Sequence, residues 1–206
     1  MLLCDIGNTS YHFLDGEADY KESVKEFTPS TIKKRVFYIC VNPQVKSVLN
    51  SLENWIDLAT HVDMKNYYKT MGVDRIFACE ALSDGVIIDA GSAITVDVVS
   101  DGIFQGGFIY PGVNAMRQTY KDISSALDYE FNYNLDLDTL PKNSADAISY
   151  GFLKTLYGEV NSYNKDIYLT GGDAQKLHSI FPNATIENKL IFNGMKKILQ
   201  KSIVPF

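Results

Sequence analysis

Two short stretches of this sequence put a carboxylate and a glycine turn directly behind an apolar run. The first is LLCDIGNTSYHF, residues 2 to 13, which carries Asp5, Gly7, Asn8 and Thr9 in order. The second is VIIDAGSAITVDVV, residues 86 to 99, with Asp89, Gly91 and Ser92. Glycine in a tight turn lets backbone N–H groups approach a phosphate with no side chain in the way. A neighbouring Asn, Ser or Thr adds neutral hydrogen bonds to the same oxygens. The aspartate cannot serve an anion directly; it holds a cation or accepts a proton. A third glycine turn, TGGDA at 170 to 174, suits the base or ribose end of a nucleotide. One D-x-G-x-T turn alone is a common hairpin. Two at matching positions, joined by GGFIYPG and TGGD, point to phosphate chemistry.

Asp74–Arg75, in GVDR, is the other reactive pair. An aspartate at a helix start can simply complement the helix dipole, and an arginine can be a surface cation. The pair can also take a hydroxyl proton on Asp74 while the Arg75 guanidinium grips a carboxylate through two hydrogen bonds. Tyr67 and Tyr68 lie close enough in sequence to line such a pocket, or to be packing residues.

The elements that must position these groups are legible in outline. Residues 2 to 23 read as two strands joined by a turn, with Asp15–Gly16 as a further hairpin signal. RVFYICVN, 35 to 42, is a buried strand, and Pro43 opens an amphipathic helix through Val45, Val48, Leu49 and Leu52. WIDLATHV is a short strand and loop, and Asp74 stands near the start of a helix carrying Ile76, Phe77, Cys79 and Leu82. From residue 85 the theme restarts: strand, turn, strand, the Asp101–Gly102 hairpin, and a third strand ending at Pro111–Gly112. A helix follows through Val113, Met116, Tyr120, Ile123 and Leu127. Residues 129 to 141 form a polar loop, and a long helix runs from about Ser144 to Tyr163. A strand, the TGGDA turn, a helix, a short strand and a last helix complete the chain. The pattern predicts an α/β protein of two modules, 1–83 and 84–206, packed face to face, with the strand-end turns at the cleft between them.

Bulk properties narrow the function classes. The 206 residues, 46% of them apolar, suffice for a sizeable core. A net charge of −6 gives no support to nucleic-acid binding, which needs a basic surface. No apolar run approaches the roughly 20 residues that span a bilayer. The opening MLL has no basic flank and does not read as a signal peptide, so a cytoplasmic protein without nucleic-acid or membrane partners is expected. Cys4, Cys40 and Cys79 form neither a metal pattern nor a disulfide framework, and His12, His61 and His178 are isolated. Buried reduced thiols are expected, and a zinc enzyme is not.

The set DIGNT, GVDR, DAGSAITVD and GGFIYPG, in this order and spacing, resembles the type III pantothenate kinases. That family belongs to the acetate and sugar kinase, Hsp70 and actin superfamily, built from two ribonuclease-H-like modules. The resemblance covers nearly the whole chain, and the short length is most similar to the epsilonproteobacterial members. It implies phosphorylation of the pantothenate 4′-hydroxyl by ATP, the first step of coenzyme A synthesis. By position it implies an ATP phosphate loop of Asp5, Ile6, Gly7, Asn8, Thr9, Ser10, Tyr11 and His12, with Asp5 near the magnesium ion. Gly72, Val73, Asp74 and Arg75 match the pantothenate site, with Asp74 as general base. Asp89 matches a monovalent-cation position for potassium or ammonium, and Ser92 an ATP contact. Tyr68 matches a substrate-pocket tyrosine. Ser144, in PKNSADAI, matches a substrate contact that is often made across a homodimer interface. Ser92 and Ser144 stand where the family usually has threonine, and both keep the hydroxyl. Tyr11 and His12 are larger than the small or apolar residues usual after the loop. Two other functions stay open: a kinase for another small hydroxylated acceptor, which GVDR argues against, and a non-catalytic regulator on the same scaffold. A regulator has no need of Asp5, Asp74 and Asp89 together.

Overall fold

The structure, a computed structural model, describes residues 1–202. It divides into two units, one made of Met1–Leu82 with the chain from Lys189 onward, the other of Ser83–Asn188.

The first unit is built on a five-stranded sheet: β1 (Leu2–Ile6), β2 (Ser10–Asp15), β3 (Ala18–Ser23), β4 (Val36–Cys40) and β5 (Trp55–Asp57). The spatial order is β3-β2-β1-β4-β5, with β1 antiparallel to β2 and parallel to β4. The Asp15–Gly16 signal thus adds a third strand to the two read from residues 2 to 23, and Gly16 takes the left-handed φ of 63° that the tight turn requires. Leu2, Cys4 and Ile6 alternate onto one face with Tyr11, Phe13, Val36, Tyr38, Cys40 and Trp55. Helix α1 (Pro43–Leu49) covers this face through Val45 and Leu49. Helix α2 (Val73–Ala81) buries Ile76, Phe77, Ala78 and Cys79. Cys4, Cys40 and Cys79 are all buried thiols, as expected; burial pushes the Cys4 thiol well above its usual range.

The second unit repeats the plan. Its strands are β6 (Gly85–Ala90), β7 (Ala93–Ser100), β8 (Ile103–Pro111), β9 (Ile167–Thr170) and β10 (Thr185–Ile186). Read as β8-β7-β6-β9-β10, the order and the parallel return of β9 beside β6 match the first sheet. Val86, Ile87 and Ile88 are all buried, as a central strand covered on both faces demands. Helix α3 (Val113–Ile123) ends one turn earlier than the apolar spacing suggested, because Ser124 turns extended and caps a separate 3₁₀ turn that carries Leu127. Helix α4 (Ser144–Ser162) buries Phe152, Leu153, Leu156 and Val160, and helix α5 (Ala174–Leu177) follows the TGGD turn.

The last helix, α6 (Leu190–Ser202), departs from the expected boundary at residue 84. It belongs to the first unit, not the second. Leu190, Phe192, Met195, Ile198 and Leu199 are buried. Phe192 meets the ring of His12 edge-on at 4.8 Å, and Lys201 pairs with Glu80 of α2 at 3.0 Å. Gly194 permits the close approach of α6 to α2: a Cβ there would run into the Phe77 carbonyl.

Candidate active site

The phosphate-loop candidate is the β1–β2 turn. Asp5 is the next-to-last residue of β1 and is half-buried; Asn8 and Thr9 are exposed at the tip. The Gly7 N–H donates to the Ser10 carbonyl at 3.0 Å. Asn42, which the sequence reading passed over, braces this turn. Its Nδ2 donates to the Asn8 carbonyl at 3.5 Å, while its Oδ1 accepts from Gln44 N–H at 3.0 Å and Val45 N–H at 3.2 Å at the start of α1. One buried amide therefore ties the turn to a helix cap. The sequence held a clue in Asn42–Pro43, a capping residue before a proline at the first helical position.

The expected loop set narrows at two residues. Ile6 and Tyr11 are buried in the core, so only their main chain can face a nucleotide. Tyr11 packs its ring on Phe27 at 4.8 Å. The His12 ring is engaged as well: Nε2 lies 2.6 Å from the Asp19 carboxylate, and the ring is packed on Phe192. Burial lowers the His12 pKa, with Asp19 working the other way. Its side chain is partly exposed and is held by Asp19 and Phe192.

The GVDR motif opens α2, with Gly72 as its N-cap and Asp74 in the first turn. The Asp74 Oδ1 accepts the Arg75 N–H at 2.8 Å. A Cβ at 72 would displace that carboxylate from its present position. Arg75 is buried, 6% exposed, and its Nη1 donates to the Tyr68 hydroxyl at 2.7 Å. The guanidinium also sits over the Tyr68 ring at 5.9 Å, a cation–π distance. The fold thus joins Tyr68 and Arg75, two residues assigned from separate stretches. Tyr67 beside them donates to Glu80 at 3.0 Å, the residue that also holds Lys201.

In the second unit Asp89 has the position that Asp5 has in the first, next to last in its strand. Three glycine turns lie at the end of its strand, one of them against its carboxylate. The Gly91 N–H donates to the Ala93 carbonyl at 3.0 Å, repeating the Gly7 geometry one residue shorter. The Gly112 N–H donates to the Ser92 carbonyl at 3.0 Å, and a Cβ on Gly112 would collide with the Gly91 and Ser92 carbonyls. Gly171, with φ of 87°, lies against the Asp89 carboxylate and the Ala90 carbonyl, and no side chain fits there. The Asp173 N–H donates to that same Ala90 carbonyl at 2.9 Å.

Ser144 is the exposed first residue of α4, behind the cap Asn143. Asp146 fixes the surroundings: its carboxylate accepts from Asn132 at 2.8 Å and Asn143 at 2.7 Å, and these amides hold its pKa below the usual carboxylate range. Asn132 N–H in turn donates to the buried Ser149 Oγ at 2.9 Å, pinning the polar 129–141 loop onto the helix. Nothing local in the sequence marks that link.

Among the described residues no group of three or more His, Cys, Asp or Glu side chains could cage a metal. A magnesium ion held through one carboxylate and substrate phosphates needs no such cage.

The sequence model of the type III pantothenate kinase family matches residues 34–166. The chain belongs to that family. A type III pantothenate kinase of Sulfurimonas denitrificans is 61% identical over 202 residues, covering 98% of each chain. One from Campylobacter jejuni is 41% identical over 204 residues, again covering 98% of each. Among solved structures, one from Campylobacter jejuni, described as a conserved Baf family transcriptional activator, superposes with a TM-score of 0.87 at 40% identity and 98% coverage of both chains. A 2-dehydro-3-deoxygalactonokinase structure from Sinorhizobium meliloti matches at TM-score 0.55 and 11% identity, covering 100% of this chain and 97% of that one. Its likeness concerns the fold alone. Among the described residues of this type III pantothenate kinase family member, no helix is long and apolar enough to cross a membrane.

Proposed function

We propose that this chain transfers the γ-phosphoryl group of ATP to the 4′-hydroxyl of pantothenate, opening coenzyme A biosynthesis, with Asp74 as general base. The observation that carries this reading is the Gly72–Asp74–Arg75–Tyr68 cluster in a chain whose relatives are type III pantothenate kinases. Pantothenate has a hydroxyl to be deprotonated and a carboxylate to be held, and the cluster offers an acceptor for the first and a cation for the second.

Asp74 orients the 4′-hydroxyl and takes its proton as the new O–P bond forms and the bond to ADP breaks. The Arg75 guanidinium, aligned by the Tyr68 hydroxyl, binds the pantothenate carboxylate. Ser144 would reach pantothenate across the homodimer interface. The Gly7–Ser10 turn and Ser92 bind the ATP phosphates through main-chain N–H and hydroxyl groups. Magnesium held at Asp5 and potassium or ammonium held at Asp89 would neutralise charge on the phosphates. In such transfers positioning and electrostatics carry most of the acceleration. The working form is a cytoplasmic homodimer.

Asp74→Asn keeps the side-chain volume and removes the base. It is expected to lose most turnover while ATP binding, followed by calorimetry, survives. Unchanged turnover in that variant would reject Asp74 as the base. The description of the Campylobacter jejuni structure as a transcriptional activator raises a regulatory reading. The net charge of −6 gives it no support through direct DNA contact.

A further inference from the structure

Thr95 carries a hydroxyl that the fold leaves without a hydrogen-bond partner. Its Oγ1 is shielded from solvent and has no hydrogen-bond partner in the protein. Native proteins bond nearly all buried polar atoms, so an orphan needs a physical reason. Strand packing does not supply one. Valine has the same branched shape, and β7 uses it at 96, 98 and 99.

The register shows what the hydroxyl adjoins. Asp89 on β6 is directly opposite Thr95 on β7 and beside Thr170 on β9. The three side chains therefore occupy one row on one face of the sheet, with Asp89 in the middle. Directly opposed residues of this kind hold their Cβ atoms about 5 Å apart. Thr170 is buried at the end of its strand, and Gly171 follows it with φ of 87°. A side chain at 171 would strike the Asp89 carboxylate, so the turn leaves the ground beside that carboxylate clear. The donor set is one carboxylate and neutral oxygens. Such a set suits a weakly hydrated monovalent ion, which trades its water for neutral oxygens, better than a divalent ion, which needs more negative charge.

We infer that the Thr95 hydroxyl is a ligand of the monovalent cation held at Asp89, and that this role accounts for its unmet bonding capacity. The inference rests on the reading of Asp89 as the cation position. It extends the site to a second strand and predicts that the ion fastens β6 to β7 beside the Gly91–Ser92 turn.

The test is thallium NMR of the full chain, with thallous ion as the potassium surrogate and competition by potassium chloride at constant ionic strength. The wild type is expected to bind thallium and release it to potassium. Thr95→Val is expected to bind about tenfold more weakly, the cost of one charge-assisted contact, while Thr95→Ser stays close to wild type. Thermal unfolding supplies the control for a merely structural role. Without the cation Thr95→Val should melt no lower than wild type, because it removes a buried orphan, yet it should gain less from added potassium. If Thr95→Val binds thallium like wild type while Asp89→Asn does not, the inference about Thr95 is overturned and the Asp89 reading stands. If Asp89→Asn also binds normally, or the wild type binds no thallium, the Asp89 reading itself fails.

Discussion

Asn42 braces the candidate phosphate turn without any group that would touch a reacting atom. It caps α1 with one end of its amide and holds the Asn8 carbonyl with the other. Asn42→Ala is expected to cost at least about 1 kcal/mol of stability from the lost cap, read as a lower melting temperature. It should also raise the KM for ATP while leaving that for pantothenate near wild type, because GVDR lies on another helix. Residues such as Asp5, Asp74 and Asp89 were legible as candidates because their chemistry is local: a carboxylate, a glycine and a strand end fall within a few positions. Asn42 and Asn132 were not, because their roles depend on partners brought near by the fold. His12 combines both: its place in the loop motif is local, whereas its ring partners Asp19 and Phe192 come from elsewhere in the fold.

At the scale of elements, helix α6 and the strand turns behaved differently. Hairpins announce themselves through Asp–Gly pairs and alternation, so the strands and their turns were readable. The destination of a terminal amphipathic helix is a tertiary matter, since its apolar stripe fits any apolar groove of the right shape. What selects the first unit is the backbone-close crossing at Gly194 and Phe77, reinforced by Lys201 and Glu80. Gly194→Val places a branched side chain against main chain that cannot yield. It should destabilise the protein by about 1–3 kcal/mol or more, with a clear drop in melting temperature. Because α2 carries Asp74 and Arg75, turnover of the folded fraction should fall too. Wild-type stability and turnover in this variant would show that the α2–α6 contact does not position the GVDR helix.

For the whole molecule, the repeated motif foretold the repeated unit. Two sheets share one strand order and one pattern of parallel returns, and Asp5 and Asp89 stand at equivalent places in them. In the proposed function the chain uses one carboxylate-and-turn device twice, once beside magnesium and once beside a monovalent ion, with a separate helix start supplying the base. The measurement that tests this account most directly is coupled turnover of ATP with pantothenate in potassium chloride, set against sodium chloride. Phosphopantothenate formed in potassium and much less in sodium is the predicted result. No product with either ion, from protein that still binds ATP, would contradict it.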